Sequence, residues 1–330
     1  MNYHSRLPLI SATTGTTAGI TAGARAAAAV SPTSQPNVPS TTFNALNAAV
    51  GATAAASQIR TIGGLLAVDR YAKTANYFIE YPEDIEQIGV SFNTSLGDWA
   101  LQGEYSHKDD VPLQIDDVEI LFATLTPLGR VIGNTAWNQN QVGTFSQPNQ
   151  YIRGYIERDV SQLQATVSKV FSNVMKADQF AFVAEAAVTH VHNMPSKNTL
   201  RLNGPGTFVS GNPFHATAAG GHAGKPAEDS DNFADATSWG YRLAGRWSYN
   251  NAYKAINLSP RAAFQHDVDG VTPGPGGNFI EGRKAFTLGL TATYKNQWAA
   301  DVSYTDFYGA GRHNLLNDRD FVSFNIKYSF

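Results

Sequence analysis

The C-terminal segment Phe321-Val322-Ser323-Phe324-Asn325-Ile326-Lys327-Tyr328-Ser329-Phe330 alternates apolar and polar residues from Val322 onward and stops on an aromatic. Successive side chains of a β-strand point to opposite faces. Val322, Phe324, Ile326, Tyr328 and Phe330 therefore share one face, and Ser323, Asn325, Lys327 and Ser329 share the other. A half-buried strand of a soluble sheet also alternates, so the terminal aromatic and the recurrence of the pattern carry the argument.

The pattern recurs throughout the chain beyond residue 85. Ile88, Val90, Phe92 and Leu96 alternate with small and polar residues, and after Gly97-Asp98 so do Trp99, Leu101 and Tyr105. Further runs centre on Leu163–Phe171, Phe180–Val188, Trp239–Tyr249, Ile256–Phe264, Phe286–Tyr294 and Trp298–Tyr304. With a strand expected over Met1–Pro8, that makes about ten, each near the length a tilted membrane strand needs. The connections sort by parity. Gly97-Asp98, Ser172–Asp178, Asn250–Lys254 and Asn296-Gln297 are short, whereas 9–76, 111–150, 195–236, 271–283 and 309–320 are long. Transmembrane β-barrels have short periplasmic turns and long extracellular loops. The expected fold is all-β: the C-terminal portion of an antiparallel transmembrane barrel in a bacterial outer membrane, a single domain over 1–330. Phe324, Ile326, Tyr328 and Phe330 then resemble the C-terminal signal that barrel assembly machinery reads.

Composition fits that reading. The chain of 330 residues has a net charge of -3 and no cysteine. This is no electrostatic footprint for nucleic acid, and disulfides and cysteine-ligated metals are excluded. A mean hydropathy of -0.25 suits strands that turn half their residues to a polar interior. Met1-Asn2-Tyr3-His4-Ser5-Arg6 lacks the basic start and apolar core of a signal peptide, so upstream sequence is expected.

Seven charged residues of the strands fall on the polar face: Glu104, Glu185, Arg242, Arg246, Arg261, Asp301 and Lys327. Facing lipid they would cost a few kcal/mol each near the midplane, so they are expected to face the lumen. They either line a conduit or fill the interior as ion pairs. Trp99, Trp247, Tyr249, Tyr294, Trp298, Tyr328 and Phe330 adjoin the short turns or the chain end and read as an aromatic girdle.

Two long connections have patterns of their own. Within 111–150, Val118, Leu121, Phe122 and Leu125 have helical spacing, with Asp116 as N-cap and Glu119 three residues on. This amphipathic helix and the 9–76 loop are the expected lid or plug. The 9–76 loop is rich in Ala, Thr and Gly. Its part 41–71 is expected to hold one or two helices, and Ala12–Ser40 reads as low-complexity and mobile.

Other chemistry is sparse. His190 and His192 share a strand face but bring no evident third metal ligand, so they read as a wet rim. His107-Lys108-Asp109-Asp110 and Asp116-Asp117 lack EF-hand spacing and read as solvated loop. His4 and Ser5 are adjacent and point apart, and no Gly-x-Ser-x-Gly elbow occurs. No catalytic residue, metal or cofactor is expected. Gly274-Pro275-Gly276-Gly277 reads as a turn.

Asn2–Leu9, Tyr77–Ile85, Leu101–Ser106 and Asn314–Val322 together resemble a family of proteobacterial outer-membrane proteins catalogued as a domain of unknown function, family 1302. The resemblance runs from Asn2 to Phe330 and matches the C-terminal part of longer members. It implies similarity to channels for long-chain fatty acids and aromatic hydrocarbons. The expected function is a non-enzymatic, porin-like channel for hydrophobic or amphipathic small molecules, with outer-membrane lipid as its surroundings. The alternatives are a surface or assembly protein with a sealed lumen and, third, an outer-membrane hydrolase.

Overall fold

The alternating segments pair with their sequence neighbours. The computed structural model describes residues 2–3, 5, 7–29, 63–217 and 224–330. Its strands are β1 (Asn2–Tyr3), β2 (Leu9–Thr13), β3 (Asn76–Glu80), β4 (Ile85–Leu96), β5 (Trp99–Gln114), β6 (Tyr151–Ile152), β7 (Tyr155–Phe171), β8 (Gln179–Val191), β9 (Thr237–Tyr253), β10 (Ile256–Asp269), β11 (Lys284–Tyr294), β12 (Trp298–Tyr308) and β13 (Phe321–Tyr328). Two helices are α1 (Thr17–Ala29) and α2 (Asp117–Ile132), and residues 63–72 are also helical. No helix among the described residues is long and apolar enough to cross a membrane, which says nothing of strands.

A 10-stranded antiparallel sheet runs in the order β1-β4-β5-β7-β8-β9-β10-β11-β12-β13. It is open: β1 and β13 end it and do not pair. Residues directly opposite in an antiparallel ladder point to the same side, so the registers assign every strand's faces. From Val322, Phe324 and Ile326 the apolar face passes to Tyr304, Val302 and Ala300, then to Leu288, Leu290 and Ala292. It continues through Ala262, Pro260 and Leu258, through Leu243 and Ala184, and ends on Val90 and Phe92 of β4. Much of it is exposed: Val322 is 70% and Phe324 69% exposed, with Ile88 at 67% at the other end. The opposite face is mostly polar or small, with Val160, Val170, Val183, Val191, Phe307 and Phe321 among its larger apolar residues.

The two sheet ends differ. Turns at Gly97-Asp98, 172–178, Lys254-Ala255 and 295–297 lie at one end, and connections 115–154, 192–236, 270–283 and 309–320 at the other. The turn end carries an aromatic row on the apolar face. Trp99 meets Phe171 edge-on at 6.0 Å, Phe180 stacks on Trp247 at 4.6 Å, and Trp298 lies 4.6 Å from Tyr328.

The loop end is where the sequence reading needs correction. The strand expected over Met1–Pro8 is only the two-residue β1. Leu9–Thr13 leaves the large sheet and forms the centre of a second, 3-stranded antiparallel sheet, β3-β2-β6. The 9–76 connection thus begins and ends in strands, and α1 occupies Thr17–Ala29 of the Ala12–Ser40 tract expected to be mobile, whose residues 30–40 lie outside the described residues. Phe43, Leu46 and Val50 lie outside the described residues. The large-sheet strand β5 extends to Gln114, so the 111–150 connection starts later than its pattern implied. His107–Asp110 belongs to that strand and is not a solvated loop.

One side chain holds the second sheet to the first. Gln114 Nε2 donates to the Ile10 and Gly154 carbonyls at 3.0 and 2.8 Å, and its Oε1 accepts from the Ile10 amide at 2.7 Å. The Gly154 amide donates to Ser11 Oγ at 3.0 Å. A methyl group on Gly154 would overlap the Ile10 carbonyl oxygen, a backbone atom that cannot rotate away. Gly154→Ala should therefore loosen the second sheet by about 1–3 kcal/mol, the usual cost of overpacking. Faster hydrogen exchange at Leu9–Thr13 with unchanged exchange in β10–β12 is the expected result.

Candidate functional site: a charged strand face beneath a loop dome

Glu104, Glu185, Arg242, Arg246, Arg261, Asp301 and Lys327 all lie on the polar face by register. They separate into groups rather than one network. Arg261 makes a bidentate pair with Asp301, Nη1 to Oδ2 at 2.6 Å and Nη2 to Oδ1 at 2.8 Å, reaching across β11. Thr291 on β11 donates to the same Oδ2 at 2.6 Å. Gly289 faces Arg261 in the ladder, and its missing side chain leaves the guanidinium room to lie flat. Glu185 accepts from Gln164 Nε2 at 2.9 Å and Thr166 Oγ1 at 3.3 Å, and faces Arg242 in the ladder. Arg246 stands opposite Arg261. Glu104 lines a cavity of about 310 Å³ with Ser91, Gln102 and Gln164, and Lys327 is exposed opposite Ala299.

Toward the loop end this face is covered. The 270–283 connection folds over it: the Gln114 amide donates to Gly274 O at 2.9 Å, and Asp267 accepts from the Ile280 amide and Arg283 Nε at 3.1 and 2.7 Å. Gly274–Gly277 is thus a packed segment of the cover. Thr189, Ser238 and Asp267 of the polar face are buried beneath it. Leu7, Leu113, Val160, Val191 and the Thr272–Asn278 segment border a space of about 570 Å³ against the strands. Above, Glu228 accepts from Arg312 Nη2 at 2.5 Å and lies 3.7 Å from His313 Nε2, joining two long loops.

Helix α2 sits in the middle of this dome. Its interior Thr, Gly and Pro are weak helix formers, and burial compensates: Val118 through Gly129 are buried apart from Leu121. Ile120 and Ala123 pack with Leu113, Ile115, Ile152, Val191 and Leu202 at the strand ends. Val118, Phe122 and Leu125 pack instead with Ala67 and Tyr71 of the 63–72 helix and with Trp137. The expected lid residues therefore split. Val118, Phe122 and Leu125 bind another loop helix rather than the mouth itself, and Leu121 is 38% exposed. Ile10, Tyr77, Phe78, Ile79, Val118, Leu121 and Phe208 line an apolar groove of about 520 Å³ with Asp117 at its edge. Burial, with Asp117 nearby, pushes the half-exposed Tyr77 up to about 12.

The helix start departs from the expected capping arrangement. Asp116 is at the N-cap position but makes no side-chain cap bond. Glu119 accepts instead from the Gln141 amide at 2.8 Å and Ser210 Oγ at 3.0 Å, with Arg201 Nη1 at 3.5 Å. Asp116 is fully buried, and neither carboxylate oxygen has a hydrogen-bond partner among the described residues. Burial, then the neighbouring Asp117 and Glu119 charges, hold its pKa well above the ordinary 3.8.

Sequence patterns left other features unseen. Gln114 gives no signal as a polar residue ending a strand. His190 and His192 lack a third ligand on their own strand, but His192 lies edge-on to His107 at 5.5 Å. Of the hydrolase pair, His4 lies outside the described residues, and Ser5 Oγ donates to the Leu7 carbonyl at 2.9 Å.

The raised Asp116 pKa fixes a pH dependence. The folded state holds this proton more tightly than the unfolded chain, so its contribution is complete below about pH 4 and declines as pH rises toward the folded pKa. Asp117 is raised too, by burial first, and adds to the same slope. Asp116→Asn should flatten the loss of hydrogen-exchange protection in α2 between pH 5 and 8, in roughly that window, and give the variant the better-protected helix at the alkaline end. Equal slopes in variant and parent would refute the assignment.

No curated protein matches the chain. The family model described as "Protein of unknown function (DUF1302)" matches residues 1–330, and the chain therefore belongs to the DUF1302 family.

Proposed function

We propose that the chain contributes the strands of a transmembrane β-barrel in a bacterial outer membrane, and that this barrel conducts hydrophobic or amphipathic small molecules without catalysing a reaction. The supporting observation is the alternating polarity of the large-sheet strands β4, β5 and β7–β13, apolar on one face and mainly polar or small on the other. From Phe180 to Val188 the apolar run rises roughly 27 Å along the strand, or about 20 Å at a tilt near 40°, close to the ~25 Å apolar band of such barrels. In hydrocarbon every backbone group must be paired. The reading therefore requires the β4 and β13 edges to find strand partners, and the aromatic-terminated β13 suits recognition by assembly machinery.

In this reading Glu104, Glu185, Arg242, Arg246, Arg261, Asp301 and Lys327 line the lumen, and the apolar groove by Leu121 and Phe208 receives ligand. The moving lid is the 63–72 helix with α1, because α2 is held to the strand ends by Ile120 and Ala123. Strand addition alone does not open the mouth. The burial of Thr189, Ser238 and Asp267 beneath loops favours the second reading, a sealed barrel whose loops contact partners.

Conductance in planar bilayers distinguishes the two, alongside flux of fatty acids, steroids and aromatic compounds in a deletion strain. A channel should conduct, and the deletion should slow at least one class. Ala67→Glu places a charge in the buried contact between the 63–72 helix and α2 and should raise conductance several-fold. No conductance from either protein, with all fluxes unchanged, would establish the sealed reading instead.

A further inference from the structure

Beyond the apolar rows, the same sheet face turns polar at the loop end. His107, Ser161 and His190 form the ladder row that follows Tyr105, Leu163 and Val188. Asp109 and Asp159 come next on β5 and β7. One His107 nitrogen and one carboxylate oxygen each from Asp109 and Asp159 lie within 4.8 Å of one another. The separation of Nε2 from Asp109 Oδ1 is 3.2 Å. All three residues are half-buried.

We propose that His107, Asp109 and Asp159 form a divalent transition-metal site, suited to Zn²⁺ or Mn²⁺, on the outward face of the β5–β7 ladder. Three features support it. First, the imidazole is oriented by a second layer. His107 Nδ1 is 2.9 Å from Ser161 Oγ, which is 2.8 Å from His192 Nε2. With Nδ1 donating to the serine and the serine donating to His192, the Nε2 lone pair of His107 is aimed at the carboxylates. Metal-binding imidazoles are fixed in this way by their other nitrogen.

Second, the backbone is built to bring the acids in. The β5–β7 register shifts between Lys108 and Val111, and Asp110 has a φ of 56°. Asp159 is tied down from both sides: its Oδ1 accepts from the Asp110 amide at 3.3 Å and its carbonyl from the His192 amide at 2.8 Å. Bulges of this kind re-aim side chains near functional sites.

Third, the charge is unbalanced. Glu86 faces Asp109 across the β4–β5 ladder, so three carboxylates gather on this face. Among the described residues the cationic partners of the same rows are histidines: Lys108 alternates to the other face, and Arg158 bonds the Asn193 and Glu157 carbonyls. A neutral imidazole nitrogen and a carboxylate are both acceptors, and a cation between them turns that repulsion into binding. One nitrogen with carboxylate oxygens suits Zn²⁺ or Mn²⁺ better than the all-oxygen preference of Ca²⁺. Three ligands leave a position open to water. The site does not depend on the channel reading.

The test is calorimetric titration of the full chain, folded in detergent, with Zn²⁺ alone. Saturable binding near one ion per chain is expected, weakened roughly tenfold or more by His107→Gln or Asp159→Asn, and weakened less by Ser161→Ala, which alters only the orienting layer. His190→Gln, on the same face but outside the ligand set, should bind as the parent does. Co²⁺ added to the unaltered protein gives a second measurement that needs no variant to fold. Its visible absorption should show ligation by protein, lost on adding excess Zn²⁺. Absence of saturable Zn²⁺ binding, or equal loss in the His190 and His107 variants, would overturn the site. Those outcomes would leave His107 as a hydrogen-bond partner of Ser161 and Asp109 with no role in ligation.

Discussion

A β-strand offers its side chains only two directions, and an antiparallel ladder forces directly opposed residues to share one. Those two rules bind the large sheet into a single polarity decision. Once Phe324 of β13 faces one way, Val302, Leu290, Pro260 and, across the remaining ladders, Phe92 must face the same way. A one-residue slip anywhere would exchange the faces of the strands beyond it and put Arg261 and Asp301 among aromatic and aliphatic neighbours. The Arg261–Asp301 pair guards against that slip. It spans β10, β11 and β12, so its bidentate geometry exists only in the observed register.

The same rules explain where charge can be tolerated. Lys169 is a charged residue of the apolar face at the turn end, where its ammonium reaches Asp98 at 3.4 Å and lies over the Trp99 and Phe171 rings at 5.3 and 5.2 Å. A long stem crossing apolar surface to place its charge at the boundary is the behaviour of snorkelling lysines. The His107–Asp109–Asp159 cluster terminates the apolar face at the opposite end. Polar groups thus bound the apolar rows above and below.

Local periodicity made the large-sheet strands β4, β5 and β7–β13, their faces and the parity of their connections legible, because each depends on residues close in sequence. Helix α2 was legible for the same reason. The second sheet was not. Leu9–Thr13 is short and sits in an Ala- and Thr-rich tract, and it becomes a strand by pairing with β3 and β6, both distant in sequence, with Gln114 and Gly154 tying it down. The partner of His107 was hidden similarly, since only the β5–β7 register brings Asp159 alongside. Asp116 takes the expected N-cap position, but the capping bonds fail for a different reason: tertiary packing buried a residue whose local sequence suited solvent, and satisfied Glu119 from other loops.

The dome's construction decides what it can do. Its apolar residues fall into two clusters that share α2 but differ in anchorage. One includes Leu113 and Val191 from the ends of β5 and β8, so displacing it would disturb the ladder itself. The other joins α2 to the 63–72 helix and Trp137, with Ile20 of α1 alongside, and includes no strand residue. Tyr71 bridges its layers, donating to the Thr124 carbonyl and accepting from the Gly15 amide, at 2.7 and 2.8 Å. Opening therefore costs least along the contact between α2 and the 63–72 helix, where no backbone ladder must break. Asp116 and Asp117 immediately precede Val118, which belongs to that contact. Solvent admitted there would relieve the burial that raises their pKa values, so opening and proton release are thermodynamically linked.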